Sequence, residues 1–494
     1  MLFNSVDFLI FFPIVVLIFF LVPAKLRCYW LLAASYFFYM CWNVQYIFLI
    51  AASTVVTWGC GRFLYGCREK RWKKLLLVFC LVFNLGILFF FKYFNFFLDT
   101  CSRVLGRFGL TLLDRHFDIL LPVGISFYTF QALSYTLDIY RGKAEPEKNF
   151  FRYALFVSFF PQLVAGPIER SENLLRQIAQ VEKRKLWDYE RVTDGLMLMV
   201  WGLFQKMVIA DRAAILVDSV FDNYYMHGTV ALAAGAVCFA LQIYCDFAGY
   251  STIALGAARV MGVELMENFN TPYFAVSIRD FWRRWHISLS SWFRDYLYIP
   301  LGGSRCTRGR KYVNILITFT VSGLWHGAGW NYLAWGMLHG IYQVVGDLTR
   351  NFKVSINRRL KTKTDSFSYH MGQVAVTFLL VDAAWIFFRA NGIRAAFEYC
   401  GRMVMKWDPW SLFNGEIYTL GLERPEFNIL LAGVVVLFLA DLIRYKKGQS
   451  VSGFLAEQCI WFRWGVLFAM MWSTLVFGIY GIQFSSSQFI YFQF

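Results

Sequence analysis

The sequence has little charge and no recognisable cysteine framework. Only 16% of its 494 residues are Asp, Glu, Lys or Arg, whereas 58% are hydrophobic and 20% are aromatic. This low charged fraction excludes an ordinary soluble globular domain, in which about 25% of residues are charged. The eleven cysteines are an odd number and include no CxxC pair, which argues against a disulfide framework or a zinc site. We interpret them as reduced, buried side chains.

The positive charge of the sequence lies in short loops between apolar runs. The formal net charge is +16, which a nucleic-acid-binding surface would also give. Clusters of Lys and Arg beside apolar segments are instead typical of the cytoplasmic loops of membrane proteins. We therefore expect contact with membrane lipid and no nucleic-acid partner. The strongest clusters are Arg62, Arg68, Lys70, Arg71, Lys73 and Lys74; Arg350, Lys353, Arg358, Arg359, Lys361 and Lys363; and Arg444, Lys446 and Lys447.

These clusters predict the orientation of the chain. Two apolar runs separate the first cluster from Lys25 and Arg27, so this earlier pair is also expected in the cytoplasm and the N-terminus outside. One apolar run follows Lys447, which predicts an extracytoplasmic C-terminus as well. The opening MLFNSVDF lacks a basic region and a cleavage site, so the apolar run to Val22 is expected to be a retained anchor.

Apolar runs follow one another along the chain and predict an all-α polytopic integral membrane protein. Several runs are short or interrupted, so we expect about 10–12 true crossings together with re-entrant and interfacial helices. The runs cover approximately residues 6–22, 28–42, 46–61, 75–98, 118–137, 150–168, 193–218, 229–256, 312–330, 332–347, 372–389, 427–445 and 460–482.

Two of these runs contain residues that break a helix. Pro122 precedes Gly124, and Pro161 is followed by Gly166 and Pro167. Broken helices at membrane depth occur where protein or an internal cavity shields the backbone, so these positions predict a lumen. The two halves of the chain show no matching pair of broken helices, which argues against a transporter.

A lone histidine, His326, lies in the longest stretch without acidic or basic residues near the centre of the chain. The segment VSGLWHGAGWNYLAWGMLHG belongs to a run free of such side chains from Lys311 to Asp347. A helix from Lys311 would place His326 about 22 Å along its axis, within the hydrocarbon layer. No His, Cys, Asp or Glu follows His326 three or four residues later, and the next histidine in the sequence is His339. The spacing of a metal site is therefore absent. We interpret His326 as a proton-transferring residue beside Trp325; the alternative is a histidine that only satisfies hydrogen bonds in a packed bundle.

A second histidine lies in a run that alternates charged and aromatic residues, RDFWRRWHISLSSWFRDYLYIPLGG. One interpretation is an interfacial amphipathic helix on anionic lipid. The other is a cytoplasmic portal in which arginines bind the phosphates of a nucleotide-bearing thioester and tryptophans guide its slender arm. The candidate residues of this run are Trp282, Arg283, Arg284, Trp285, His286 and Ser288.

Further polar residues interrupt apolar segments. Gln131, Ser134 and Asp138 fall three and four residues apart on one helical face, and Asp246 interrupts LQIYCDFAGYS. Hydrogen bonding between helices is the ordinary reason for such residues. Because intramembrane polar groups also mark pathways, they are retained as candidate tunnel residues together with His339.

These segments together resemble a known family. The runs PVGISFYTFQALSYTLDIYRG, SFFPQLVAGPIER, LQIYCDFAGYS, ENFNTPY, DFWRRWHISLSSWFRDYLYIPLGG and GLWHGAGWNYLAWGMLHG are similar to those of the membrane-bound O-acyltransferases. The similarity is greatest to the bacterial branch that serves O-acetylation of alginate and other cell-envelope polysaccharides, and it covers residues 1 to about 350.

The resemblance implies a fold and an activity. The family has a ring of transmembrane helices around a tunnel, and its catalytic and second histidines match His326 and His286. It implies acetyl-CoA as a cytoplasmic donor substrate without a bound cofactor or metal, and an extracytoplasmic SGNH-type acetyltransferase as partner. The location implied is the bacterial plasma membrane. The C-terminal FIYFQF resembles a motif whose tyrosine is implicated as an acyl carrier, which makes Tyr491 a candidate; anchoring of an aromatic tail at the interface is the alternative.

The resemblance also suggests a division of one membrane domain. Residues 1–110 would form N-terminal helices, 111–350 a catalytic core, 351–488 C-terminal helices and 489–494 the aromatic motif. Two other functions stay open at this point: D-alanyl or other acyl transfer from a carrier protein to teichoic acid, and a transporter or channel that relays protons without acyl chemistry.

Overall fold

The fold is built from helices. A computed structural model describes residues 1–109, 117, 120–164 and 166–480, and every regular element in these ranges is helical. Seven helical stretches in this part of the chain are long and apolar enough to cross a membrane. This confirms the prediction of an all-α polytopic membrane protein. The seven stretches are Val44–Gly66, Lys70–Gly106, Tyr189–Asp222, Thr229–Val260, Phe367–Arg389, Arg424–Lys447 and Ile460–Phe477.

The chain forms two compact units. The first comprises residues 1–196 and 254–266, and the second comprises residues 197–253 and 267–494. Helices of the first unit are α1 (Val6–Leu21), α2 (Arg27–Met40), α3 (Ile47–Gly66), α4 (Lys70–Leu88), α5 (Phe94–Gly106), α6 (Ile125–Tyr140), α7 (Phe150–Ser158), α8 (Phe160–Leu163) and α9 (Ser171–Gln180).

The second unit carries the C-terminal half of the chain and parts of two helices that begin or end in the first. Its helices are α10 (Tyr189–Phe204), α11 (Asp211–Asp222), α12 (Thr229–Val260), α13 (Ile278–Arg284), α14 (Ile287–Phe293), α15 (Arg308–His326), α16 (Trp330–Leu348), α17 (Arg350–Arg359), α18 (Phe367–Arg389), α19 (Ile393–Met405), α20 (Arg424–Lys447), α21 (Val451–Ala456) and α22 (Ile460–Phe477).

Short non-α segments join or interrupt these helices. The 3₁₀ turns are Ala24–Leu26, Val44–Tyr46, Val181–Lys183, Tyr224–Met226, Pro272–Phe274, Pro409–Leu412 and Glu416–Thr419. In the part of the chain that the structure describes, three π-helical segments, Phe89–Tyr93, Gln205–Ala210 and Arg294–Tyr298, continue helices without a break. Such bulges inside helices frequently mark functional sites.

The predicted helix breaks are present in the first unit. Helix α7 ends at Ser158, and α8 starts anew with Pro161 in its first turn. Gly124 precedes α6 in a left-handed conformation with φ of 73°. A side chain at Gly124 would also overlap the carbonyl group of Leu163. Glycine therefore allows the chain before α6 to lie directly against the end of α8.

Helices α15 and α16 form a tight hairpin in the second unit. A Cβ atom at Gly336 would overlap the carbonyl oxygen of Phe319, and one at Gly323 would overlap that of Tyr332. Small residues at such positions let two helix backbones approach closely within a membrane. At the open end of the hairpin, Lys311 Nζ lies 2.7 Å from a carboxylate oxygen of Asp347. The hairpin is thus fixed at both ends.

Candidate active site

His326 is the last residue of α15 and lies inside a box of aromatic rings. Only 2% of its surface is exposed. Its ring centroid lies 5.0 Å from those of Trp325 and Trp335, and 5.5 Å from that of Phe388. Trp335 comes from α16 and Phe388 from α18. The α15–α16 turn and α18 therefore place one imidazole in an apolar enclosure.

His286 reaches the same enclosure from a different element. It is fully buried and precedes α14 as its N-cap residue, with φ of 43° and ψ of 55°. Its ring centroid lies 6.3 Å from that of His326 and 6.0 Å from that of Trp325. Phe247 of α12 covers its other side at 4.7 Å. Two histidines forty residues apart in sequence are thus neighbours in the structure.

Burial determines the charge state of His286. It lies between two seven-residue helices, too short to span a membrane, and desolvation lowers its pKa from 6.5 to about 3. A neutral imidazole has one donor and one acceptor nitrogen, so it can both donate and accept a hydrogen bond. His286 is accordingly suited to hydrogen bonding as a neutral ring at physiological pH.

His339 lies behind the aromatic wall. The indole N–H of Trp282 donates to Nδ1 of His339 at 3.2 Å, which assigns the proton of a neutral imidazole to Nε2. The His339 ring is 5.1 Å from Trp335 between centroids, and Trp335 in turn contacts His326. His339 and Trp282 therefore support the wall that faces His326.

The arginines of the sequence-predicted portal differ in their surroundings. Arg283 is exposed. Arg284 forms an ion pair with Asp280 at 3.0 Å and donates to the hydroxyl of Thr271 at 3.1 Å. Trp285 is fully buried and stacks on Phe281 with centroids 5.4 Å apart. Arg283 thus faces outward, whereas Arg284 and Trp285 hold the segment together.

Asp246 takes part in a buried ion network. Lys206, on the π-helical segment after α10, lies 2.6 Å from an oxygen of Asp246 and 2.7 Å from one of Asp211. The side chains of Lys206 and Asp246 are 4% and 2% exposed. In the same region Gly202 and Gly249 bring α10 and α12 into close contact. The network therefore connects these two helices. Such a connection between helices is the ordinary role that the sequence also allowed for Asp246.

Gln131 and Asp138 belong to the first unit. Gln131 Nε2 donates to the carbonyl oxygen of Phe156 at 2.5 Å, and Ser134 donates to the carbonyl oxygen of Gln131 at 2.7 Å. The carbonyl oxygen of Asp138 accepts from the backbone of Lys143. Gln131 thus connects α6 with α7, as expected for hydrogen bonding between helices.

No group of three or more His, Cys, Asp and Glu side chains that could hold a metal ion occurs within the described ranges. The site instead contains two imidazoles that can be neutral, those of His286 and His326, and apolar side chains surround them. Such a site can remove a proton from a hydroxyl and return it to a leaving group. Exclusion of water by the aromatic rings would limit hydrolysis of a reactive ester.

The chain is similar to known acyltransferases. The family model for membrane-bound O-acyltransferases matches residues 144–389, which include both histidines. The chain is 38% identical to a probable alginate O-acetylase AlgI of Pseudomonas putida, over 83% of this chain and 82% of the relative. It is 35% identical to a peptidoglycan O-acetyltransferase of Helicobacter pylori, over 76% and 73% respectively.

The chain belongs to the membrane-bound O-acyltransferase family. It is therefore an O-acyltransferase and a multi-pass membrane protein, and this replaces the alternative of a channel without acyl chemistry. A more limited match, 28% identity over 44% of this chain, is to a teichoic acid D-alanyltransferase of Bacillus subtilis. The family match covers the α15–α16 hairpin and α18, the elements that enclose His326.

Sequence reasoning missed several members of the site. Trp335, Trp385 and Phe388 complete the wall; Trp385 stacks on Trp335 with centroids 5.5 Å apart. Nothing in a single sequence distinguishes these rings from aromatic residues that face lipid. The run VDAAWIFFR was a usable signal, because its Asp382 predicts that this part of α18 faces protein. The candidate Tyr491 lies outside the described residues.

Proposed function

We propose that this O-acyltransferase transfers acetyl groups from cytoplasmic acetyl-CoA across the membrane for O-acetylation of an extracytoplasmic polysaccharide. The names of the Pseudomonas putida and Helicobacter pylori relatives, a probable alginate O-acetylase and a peptidoglycan O-acetyltransferase, support the acetyl group and the polymer class. The observation that carries the proposal is the pair of buried imidazoles, His286 and His326, 6.3 Å apart inside an aromatic enclosure.

His326 acts as the general base in the proposed reaction. It takes the proton of an attacking hydroxyl as the oxygen bonds to the thioester carbonyl carbon. Collapse of the tetrahedral intermediate breaks the carbon–sulfur bond, and the proton returns from His326 to the leaving thiolate. CoA leaves as a free thiol and the acetyl group remains as an oxygen ester. His286 positions the donor or holds the proton beside His326.

Arg283 is the proposed contact for the phosphates of the donor. It is exposed, whereas Arg284 is already paired with Asp280. A guanidinium binds phosphate with two parallel hydrogen bonds, which suits a nucleotide-bearing substrate. Arg284 would then maintain the shape of the segment around His286.

Tyr491 is the proposed transient acceptor. Its phenol, with an ordinary pKa near 10, needs a base to attack a thioester, and the resulting aryl ester transfers readily to a serine. An extracytoplasmic SGNH-type transferase would supply that serine and pass the acetyl group to the polymer. The support for this step is the resemblance of FIYFQF to the acyl-carrying motif and the expected extracytoplasmic position of the tail.

Labelling of the protein tests the relay. Purified protein is incubated with radiolabelled acetyl-CoA as wild type, His326→Ala and Tyr491→Phe, with Tyr480→Phe as matched control. We expect label in the wild type and the control and none in the other two. A labelled Tyr491→Phe variant would contradict the relay while leaving the acetyl-CoA reaction intact. Unlabelled wild type that also releases no CoA would contradict acetyl-CoA as the donor.

Transfer from an acyl carrier protein is the second candidate, because of the partial match to the Bacillus subtilis D-alanyltransferase. The same labelling with an acyl group on a carrier protein separates the two. Label from the carrier protein and none from acetyl-CoA would favour the D-alanyl type of donor.

A further inference from the structure

The backbone of His286 adopts an unfavourable conformation. Among the described residues only Thr271, His286 and Lys361 have positive φ without being glycine. A residue with a Cβ atom in this region persists when its surroundings impose the conformation. The contacts beside His286 should therefore reveal what imposes it.

Asn268 makes those contacts. Its carbonyl oxygen accepts from the backbone N–H of Ile287 at 2.9 Å. Its side-chain Oδ1 accepts from the hydroxyl of Ser288 at 2.6 Å and from the backbone N–H of Ser288 at 3.4 Å. One residue thus binds both positions that follow His286.

The other end of the Asn268 amide is anchored to a long helix. Nδ2 donates to the hydroxyl of Ser251 on α12 at 3.2 Å. Asn268 and Ser251 are 2% and 3% exposed. Two residues further along, the backbone N–H of Asn270 donates to the carbonyl oxygen of Arg284 at 2.9 Å. The segment 268–271 therefore runs alongside the histidine turn and connects it to α12.

We propose that Asn268 is a positioning residue for acyl transfer: it holds the turn at His286 against α12, so that the His286 ring faces His326. Asn268 makes this contribution through His286 rather than through substrate. Both ends of its amide are needed, because Oδ1 binds the turn while Nδ2 binds α12. The catalytic part of this inference rests on the proposed transfer reaction.

A double-mutant cycle tests the positioning role. The variants are Asn268→Ala, His286→Ala and their combination, with Asn270→Ala as the matched control because its side chain is exposed. We expect Asn268→Ala to lower kcat for acetyl transfer about 10- to 100-fold, as a small misplacement of a reacting group does, with KM changed less than threefold. In the His286→Ala background the same change should have no further effect.

Two results would overturn the inference. One is an Asn268→Ala variant within twofold of Asn270→Ala in kcat. The other is losses that multiply in the double variant, which would mean that Asn268 acts independently of His286. Should Asn268→Ala fail to fold, Ser251→Ala removes only the bond to α12; it should lower kcat about 3- to 10-fold in wild type and not at all beside His286→Ala. Ser251→Ala losses that persist beside His286→Ala would also contradict the inference.

A thermal measurement tests the same geometry without the reaction. Glycine adopts a left-handed conformation freely. In a His286→Gly variant the turn therefore no longer needs neighbouring contacts to hold that conformation. We expect Asn268→Ala to lower the melting temperature of the purified protein less beside His286→Gly than in the wild type. Equal decreases would contradict the role of Asn268 in fixing the turn, even if the donor proves to be other than acetyl-CoA.

Discussion

At the scale of single residues, one hydrogen bond determines which nitrogen of His339 carries a proton. The indole N–H of Trp282 fixes Nδ1 of His339 as an acceptor. This hydrogen bond lies behind Trp335, the ring that separates His339 from His326. His339 therefore contributes to the shape of the enclosure rather than to the bond changes.

Replacement of His339 tests this supporting role. His339→Leu leaves the buried N–H of Trp282 without an acceptor, which costs about 1–3 kcal/mol. We expect a lower melting temperature that is partly restored by adding Trp282→Phe, since the unpaired donor is then absent. His339→Asn provides an amide oxygen near the position of Nδ1 and should retain both stability and transfer. Loss of transfer in a stable His339→Asn variant would show that His339 takes part in the chemistry.

At the scale of helices, close backbone contacts and one buried ion network hold the elements that carry the site. The π-helical segment Gln205–Ala210 presents Lys206 to Asp211 and Asp246. Removing one member of a buried charge network leaves the others without compensation, which usually costs more than an intact network contributes.

The network predicts an asymmetric response to mutation. Lys206→Met should lower the free energy of unfolding by about 3–5 kcal/mol, because two carboxylates lose their cation. Adding Asp246→Asn should recover part of the loss by removing the more buried charge. Arg394→Ala is the control, since its pair with Glu398 is on the surface and should leave the melting temperature unchanged. Equal effects of Lys206→Met and Arg394→Ala would contradict the network.

The α15–α16 hairpin gives a prediction with an internal control. Gly336 and Gly346 lie on the same helix, but an added Cβ meets Phe319 only at Gly336 and meets no atom within 4 Å at Gly346. Gly336→Ala should push α16 from α15, displace Trp335 from His326 and reduce transfer by 10-fold or more, by analogy with other small displacements of reacting groups. Gly346→Ala should leave transfer unchanged. Similar activity of the two variants would show that the close approach is unimportant for the site.

At the scale of the whole molecule, the sequence predicts spans better than contacts. Apolar runs bounded by basic loops, and breaks at Pro161 and Gly124, give most helix positions because the membrane limits the choice of structure. The rings of the enclosure are as apolar as rings that face lipid, so the sequence does not identify Trp385 and Phe388 as part of it. The hydrogen-bonding role of Asn268 and the π-helical placement of Lys206 depend on contacts with distant residues, which no local pattern records.

Two native cysteines test the predicted orientation. Both are exposed: Cys41 follows α2, and Cys459 precedes α22. With the basic loops inside, Cys41 is expected outside the membrane and Cys459 in the cytoplasm. A membrane-impermeant maleimide should therefore label Cys41 in intact cells and Cys459 only after permeabilisation, with Cys41→Ser and Cys459→Ser variants identifying each signal. The opposite pattern would invert the direction of transfer.

In the proposed reaction, His326 is the base for transfer from acetyl-CoA. The most direct measurement is release of free CoA thiol by protein in liposomes, for wild type, His326→Ala and the control His227→Ala, whose histidine lies outside the site. We expect His326→Ala to stay folded and to release CoA at least 100-fold more slowly than the wild type, a magnitude typical of general-base removal. His227→Ala should release CoA at the wild-type rate. A folded His326→Ala variant that releases CoA at the wild-type rate would contradict the role of His326 as the base.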